Sequence, residues 1–194
     1  MNMCNDFLYH IHRNDNHDDL WYVENKIIVD DNFNSQFYTN LLEEEKLLVQ
    51  RYGSYNIDHF IFIMEEMKCH NFKDSDVDSL FHKLLCCCYS LRRERALEEG
   101  RKIFAPSCPS RMHSIFLTDQ RDLSYWENCV GNQSFQTFSL DCCGNLFVSS
   151  DSLFPQYTLL FDEQVEQSKI YWNPEIEKVK HKEILFQGTA KIIG

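Results

Sequence analysis

Apolar and polar residues alternate through the last stretch of the chain. From residue 183 it reads EILFQGTAKII, which sets Ile184, Phe186, Ala190 and Ile192 on one side of an extended segment and Glu183, Leu185, Gln187, Thr189 and Lys191 on the other. This pattern predicts a half-buried strand with a carboxylate at its beginning. EILFQG also resembles a viral protease site used to remove purification tags, but it could equally be native, since the residues 189–193 that follow it read as a strand and not as a linker or tag. Two further extended segments lie near the other end: FLYHIHR, then LWYVENKIIV after a turn-rich polar stretch at residues 14–19. Their β-branched and aromatic content favours strand.

The pattern then becomes helical. Phe37, Leu41, Leu47 and Leu48 recur within residues 36–50, and Asp58 suits the N-cap of a helix running to Met67. A longer helix begins at Asp76, with Leu80, Leu84, Cys88 and Leu91 at helical spacing before the same register enters the charged run LRRERALEEGRK. Pro106 and Pro109 end it. HSIFLT next predicts a strand, DLSYWENC a short helix, FQTFSLD and NLFVSS a hairpin joined near Gly144, and residues 157–172 a loosely periodic helix. The expected fold is α+β, one domain over residues 1–194, with a mixed sheet and a helical insertion in the first half.

Composition narrows the function. A chain of 194 residues, 43% of them hydrophobic, can bury a substantial core, and a net charge of -11 argues against coating nucleic acid through a broad basic surface. No stretch approaches the roughly 20 apolar residues of a spanning helix, and the N-terminal residues lack the order of a signal peptide. A protein of the cytoplasm, not of the membrane, is therefore expected. The nine cysteines are odd in number and form no Cys-x-x-Cys pair, so buried free thiols in a reducing compartment, without metal, are expected. Neither GxGxxG nor GxxxxGK occurs, so a nucleotide would be held by other means.

Three groups carry candidate chemistry. Arg111 lies in SCPSRMHSIF, where a guanidinium on a stiffened turn can grip a phosphate or carboxylate at two points, with Ser110 and Ser114 nearby; the plainer alternative ties down backbone carbonyls. Arg92, Arg93 and Arg95 fit a solvated helix with Glu94, Glu98 and Glu99 as partners. His10 and His12 leave one face of the first strand, and ligating a metal would require a third group such as His113; two histidines on a partly exposed strand is the plainer alternative.

In order, LYHIHR, PSRMHSIFLT and KEILFQG resemble the motif sequence of ADP-ribosyltransferase-like domains. YHIHRNDN is similar to the first strand and loop of the DNA-targeting ADP-ribosyltransferase toxins, EILFQG to the strand bearing their catalytic glutamate, and PSRMHSIF to a bacterial family of unknown function within that superfamily. The resemblance implies split mixed or antiparallel sheets around a cleft that takes NAD+ as substrate. It implies Glu183 and His10 as catalytic residues, and His10, Tyr9, Ser114 and Phe116 as contacts to the dinucleotide. Arg111 is assigned to the pyrophosphate on its own chemistry, not on a motif position. The middle tyrosine of the family has no match, because Tyr125 and Tyr89 fall in helical segments. The implied activity is transfer of ADP-ribose to an unidentified protein or nucleic acid, or hydrolysis of NAD+, in the cytoplasm or, for a toxin or effector, in a host cytosol. The alternative is an inactive module of the same fold whose acidic surface binds a basic partner.

Overall fold

The computed structural model describes residues 7–13, 26–35, 37–43, 74–130 and 135–193. In chain order these form β1 (Leu8–Arg13), β2 (Lys26–Val29), α1 (37–43), α2 (Asp74–Phe104), β3 (Ile115–Leu117), α3 (Leu123–Val130), β4 (Phe135–Ser150), α4 (Phe161–Trp172) and β5 (Lys182–Ile192). The fold is α+β, and all five strands among the described residues join one antiparallel sheet. The expected helices over residues 44–50 and 58–67, and the turn at 14–19, lie outside the described residues. The chain divides into two compact units, residues 1–35 with 96–194 and residues 36–95, the boundary falling within α2.

In the larger unit, β4 and β5 pair along their length, from Leu140 opposite Ile192 to Ser150 opposite Lys182. The other edge of β5 carries β3 against residues 184–186 and β2 against residues 188–191. The start of β4 pairs with β1, and Tyr9 of β1 exchanges two backbone hydrogen bonds of 2.9 Å with Thr118, just beyond β3. The strands β1, β4, β5 and β3 thus close into a ring. Closure removes two sheet edges that would otherwise leave backbone groups unpaired.

One face of this ring is a continuous apolar core containing Leu8, Ile27, Val29, Ile115, Leu117, Phe138, Leu140, Ile184, Phe186 and Ala190. The alternation expected for the last strand accounts for this set, since Ile184, Phe186 and Ala190 share that side. On the opposite face Leu185 joins Leu97 and Ala105 from the α2 segment and Tyr171 and Trp172 of α4. Helices therefore cover the beginning of β5 on its second face. That is why residues 183–186 are buried without a break instead of alternating.

Two glycine positions allow close approach. Gly144 does not turn a hairpin as expected; it lies within the single 16-residue strand β4, opposite Gly188. A Cβ on Gly188 would come within 2.4 Å of the Cys143 carbonyl oxygen and 2.7 Å of the Gly144 Cα, and its φ of +147° disfavours any side chain. The paired glycines let two backbones pass at short range, so chain reversal is not needed there. Gly100 serves the contact of α2 with α4, where a Cβ would meet Ser168 Oγ at 1.7 Å. Helix α4 begins at Phe161, later than the expected 157, with the Leu160 amide donating to Glu163 at 2.8 Å.

The smaller unit has its own apolar cluster of Leu41, Cys87 and Leu91, flanked by Tyr38 and Leu42. The Cys87 thiol donates to the Leu41 carbonyl at 3.8 Å. Among the described residues the cysteines form no disulfide, and Cys86, Cys88, Cys129 and Cys143 are exposed where buried thiols were expected; Cys86 and Cys88 flank the buried Cys87 because consecutive helical positions point in different directions. Among the described residues no helix is long and apolar enough to cross a membrane.

Candidate functional site

The charged end of α2 organises the loop that follows it. Arg101 pairs with Glu98 at 2.8 Å and donates to the carbonyls of Pro106 and Cys108 at 3.2 and 3.1 Å. Glu98 in turn accepts from Ser110 Oγ at 2.9 Å, and the same hydroxyl accepts from the Met112 amide, capping the short 3-10 turn Arg111–His113. The turn is fastened on its other sides by His113 Nδ1 to the Phe33 carbonyl (2.7 Å), by the Ser35 amide to the Met112 carbonyl (2.8 Å), and by Gln187 Nε2 to the His113 carbonyl (3.1 Å). These holds point the first side chain of the turn, Arg111, into the protein, where it is 4% exposed.

There Arg111 meets Glu183. Arg111 Nη1 bonds Glu183 Oε1 and also donates to the Tyr171 hydroxyl at 2.6 Å, while that hydroxyl donates to the same Oε1 at 2.7 Å. Glu183 is 7% exposed and Tyr171 fully buried. The guanidinium carbon stands 5.0, 4.9 and 5.2 Å from the ring centres of Phe116, Phe154 and Tyr171. Burial pushes the Tyr171 phenol well above its ordinary pKa, so it stays protonated and acts as a donor to the carboxylate. The centre is an ion pair with an added hydroxyl, enclosed by three aromatic rings. Removing water from such a pair strengthens its internal electrostatics and makes either partner costly to lose.

The backbone just ahead of Glu183 is held by side chains. The Lys182 amide donates to Asp122 Oδ2 at 2.8 Å, and its carbonyl accepts from Trp126 Nε1 at 2.9 Å and Thr118 Oγ1 at 3.2 Å. Before it, His181 adopts a left-handed φ of 52° and stacks on Tyr125 at 3.7 Å between ring centres. On the paired strand, Ser149 lies opposite Glu183 and its hydroxyl donates to the Tyr171 carbonyl at 2.8 Å. Strand β4 therefore seats the end of α4 beside Glu183.

Of the residues singled out in the sequence, Arg111, Phe116 and Glu183 converge. Ser114 closes the Arg111 turn, fully buried, and its hydroxyl has no hydrogen-bond partner among the described residues. His10 lies elsewhere. Cross-strand partners share a face, so His10, opposite Phe138, faces the apolar core with Leu8 and Phe186, whereas Glu183 faces the helices with Leu185. The expected common cleft for His10 and Glu183 is thus replaced by opposite sides of one sheet, because His10 lies two residues from the inward Leu8 and shares its face, whereas Glu183 lies one residue from the inward Ile184 and takes the other. His10 Nδ1 bonds the Phe116 carbonyl at 3.0 Å, adding a side-chain link between β1 and β3 beside the isolated Tyr9–Thr118 bridge. Burial lowers its pKa to about 4, with the Phe116 bond opposing the shift and His12 adding to it. Tyr9, across from Thr118, stands on the face away from His10. His12 is buried against Phe138, and His113 is engaged by Phe33.

Sequence reasoning missed Tyr171, Phe154, Trp126 and Asp122. Tyr171 is one of several aromatic residues in a weakly periodic helix, and nothing local distinguishes it from core. Its pairing depends on where α4 docks.

Fold and centre together define an α+β protein with a buried arginine–tyrosine–carboxylate cluster at the start of its last strand. Residues 8–194 match the model of a family described as a protein of unknown function (DUF2441), and the chain belongs to that family. The comparison with curated proteins found no match.

Proposed function

We propose that the chain takes NAD+ as substrate and transfers its ADP-ribose to a macromolecular acceptor or to water, with Glu183 as the catalytic carboxylate. The observation that carries this reading is the convergence of Arg111 and Glu183, 72 residues apart, on one enclosed centre walled by Phe116. The motif resemblance implies a dinucleotide site for Glu183 and Phe116, and Arg111 joins them on its own chemistry, within an ADP-ribosyltransferase-like arrangement of split sheets around a cleft that belongs to the same proposal. Ser114 supports the fit: its buried hydroxyl lacks a partner among the described residues, and a carboxamide or ribose hydroxyl would satisfy it. Phe116 and Phe154 offer aromatic surface of the kind a nicotinamide ring packs against.

In the reaction the bond between ribose C1′ and the nicotinamide nitrogen breaks, and its electron pair leaves with nicotinamide. The acceptor's lone pair forms the new bond to C1′ and the acceptor loses its proton. Positive charge develops on the ribose between these events, and the carboxylate of Glu183 stabilises it. His10 serves this scheme from behind the sheet, as a neutral ring holding the Phe116 backbone in place.

Replacing Glu183 by Gln keeps shape and hydrogen bonding but removes the charge, and turnover should fall by about 10²-fold or more with NAD+ binding much less affected. The test is nicotinamide release and label transfer from labelled NAD+, with and without cell lysate. Full activity of Glu183→Gln would overturn the mechanism. A second reading, an inactive module binding a basic partner, is favoured by the low exposure of Glu183, its engagement by Arg111 and the net charge of -11. Absence of NAD+ binding by the wild-type chain would select it.

A further inference from the structure

We infer that Tyr171 and Arg111 are positioning residues that act through Glu183, fixing one carboxylate oxygen so that the other is presented to the substrate. This rests on the reading of Glu183 as the catalytic carboxylate and changes the part assigned to Arg111.

The contacts on the carboxylate are one-sided. Both the guanidinium and the phenol bond Oε1, and among the described residues no group bonds Oε2. The Glu183 side chain retains 9% exposure although its neighbours Leu185 and Tyr171 are fully buried. A glutamate left to itself rotates about its terminal bond and offers either oxygen, and that freedom is lost when one oxygen is held by two donors.

The donors are themselves immobilised. Arg111 is enclosed by Phe116, Phe154 and Tyr171 and fixed at its backbone by the capped turn. Tyr171 is held at its carbonyl by Ser149, the residue opposite Glu183, and at its ring by Phe147, Phe154 and Trp172. The proton assignment is unambiguous, since a guanidinium has no acceptor: Arg111 donates to the phenol oxygen and the phenol proton goes to Glu183. Three segments, the turn at 111–113, α4 and β5, thereby set the orientation of one side chain.

A pyrophosphate contact and a positioning contact have different kinetic signatures. Loss of the first raises KM with kcat intact; loss of the second lowers kcat with KM nearly unchanged. A merely structural ion pair would alter stability, and its effect on rate would not depend on which residue stands at 183.

The experiment measures nicotinamide release from NAD+ by the full chain as wild type, Tyr171→Phe, Arg111→Lys, Glu183→Gln and the Tyr171→Phe/Glu183→Gln double variant. Tyr171→Phe keeps the ring and its packing. Its kcat should fall by about 10²-fold, the scale of a misplacement of about 1 Å, with KM changed less than about threefold. The double variant should be no slower than Glu183→Gln alone, because the hydroxyl then has no charge left to orient. Arg111→Lys, which retains the charge without the guanidinium geometry, should also lose kcat and carries the test if Tyr171→Phe does not fold. An unchanged kcat in Tyr171→Phe, a further loss in the double variant, or a raised KM with intact kcat in Arg111→Lys would each overturn the assignment while leaving an active enzyme. A wild-type chain that neither binds nor turns over NAD+ would overturn the enzymatic reading, and this one with it.

Discussion

Acid should destabilise the fold through His10, because burial disfavours the charged ring while its bond to Phe116 survives protonation. The ring nitrogen Nδ1 lies 3.0 Å from the Phe116 carbonyl, which can only accept, so the neutral imidazole carries its proton there. Burial is the largest influence on the group and lowers its pKa from 6.5 to about 4; the Phe116 bond raises it and His12 lowers it further. Because the folded value lies below the unfolded one, the unfolded chain binds the proton more tightly. The contribution to stability is therefore fully present above about pH 6.5 and is lost as the pH falls toward and through about 4. At about 1.4 kcal/mol for each unit of separation, the full loss is about 3 kcal/mol, of which about 2 kcal/mol has gone by about pH 5. His10→Asn is the control, since its amide nitrogen reaches the same carbonyl without titrating. Urea unfolding of both proteins at about pH 7.5 and about pH 5 measures the difference. The wild type should lose about 2 kcal/mol more than the variant across that interval. Equal losses would refute the placement of a partly buried, neutral ring at this position.

The buried pair gives a stability prediction independent of catalysis: Arg111→Met should cost about 3–5 kcal/mol by stranding the Glu183 carboxylate. Adding Glu183→Leu should recover most of it, and a single-variant loss below about 1 kcal/mol in denaturant unfolding would show that the pair is not desolvated. Gly100→Ala should lower the melting temperature despite its better helix propensity. Even with the Ser168 hydroxyl rotated away, the new methyl would stand 3.0 Å from Ser168 Cβ and 3.3 Å from the Val165 carbonyl, an overpacking cost of about 1–3 kcal/mol. A raised melting temperature would mean that α2 and α4 can move apart freely.

Segments with a strong local period are legible in the sequence alone. The last strand's two faces, the turn of charge along α2, the stop after Phe104 ahead of Pro106, and the short helix over LSYWENCV all follow from spacing and from residues that break helices. The mistaken hairpin at Gly144 has an instructive cause. A glycine inside an alternating run signals either a turn or a close backbone approach, and only the partner strand, which brings Gly188 opposite, decides between them. The candidate site divided in the same way. Arg111 and Glu183 were visible as a guanidinium on a stiffened turn and a carboxylate opening a strand, but their pairing was not, and Arg111 was assigned a phosphate that Glu183 replaces in this structure. His10 misled because an exposed histidine on a first strand and one that seals a sheet look alike until the facing strand is known.

What this sequence determined by itself was therefore one-dimensional: which stretches extend or coil, which side of each is apolar, and which chemical groups are available. Periods of two and 3.6 residues are local properties of the backbone, and they need no partner to be read. Closure of the ring through Tyr9 and Thr118, the burial of Glu183 on both sides, and the meeting of Arg111, Tyr171 and one carboxylate oxygen were decided only in three dimensions. Each depends on desolvation by segments far away in the chain, and desolvation is set by the whole fold rather than by neighbours in sequence.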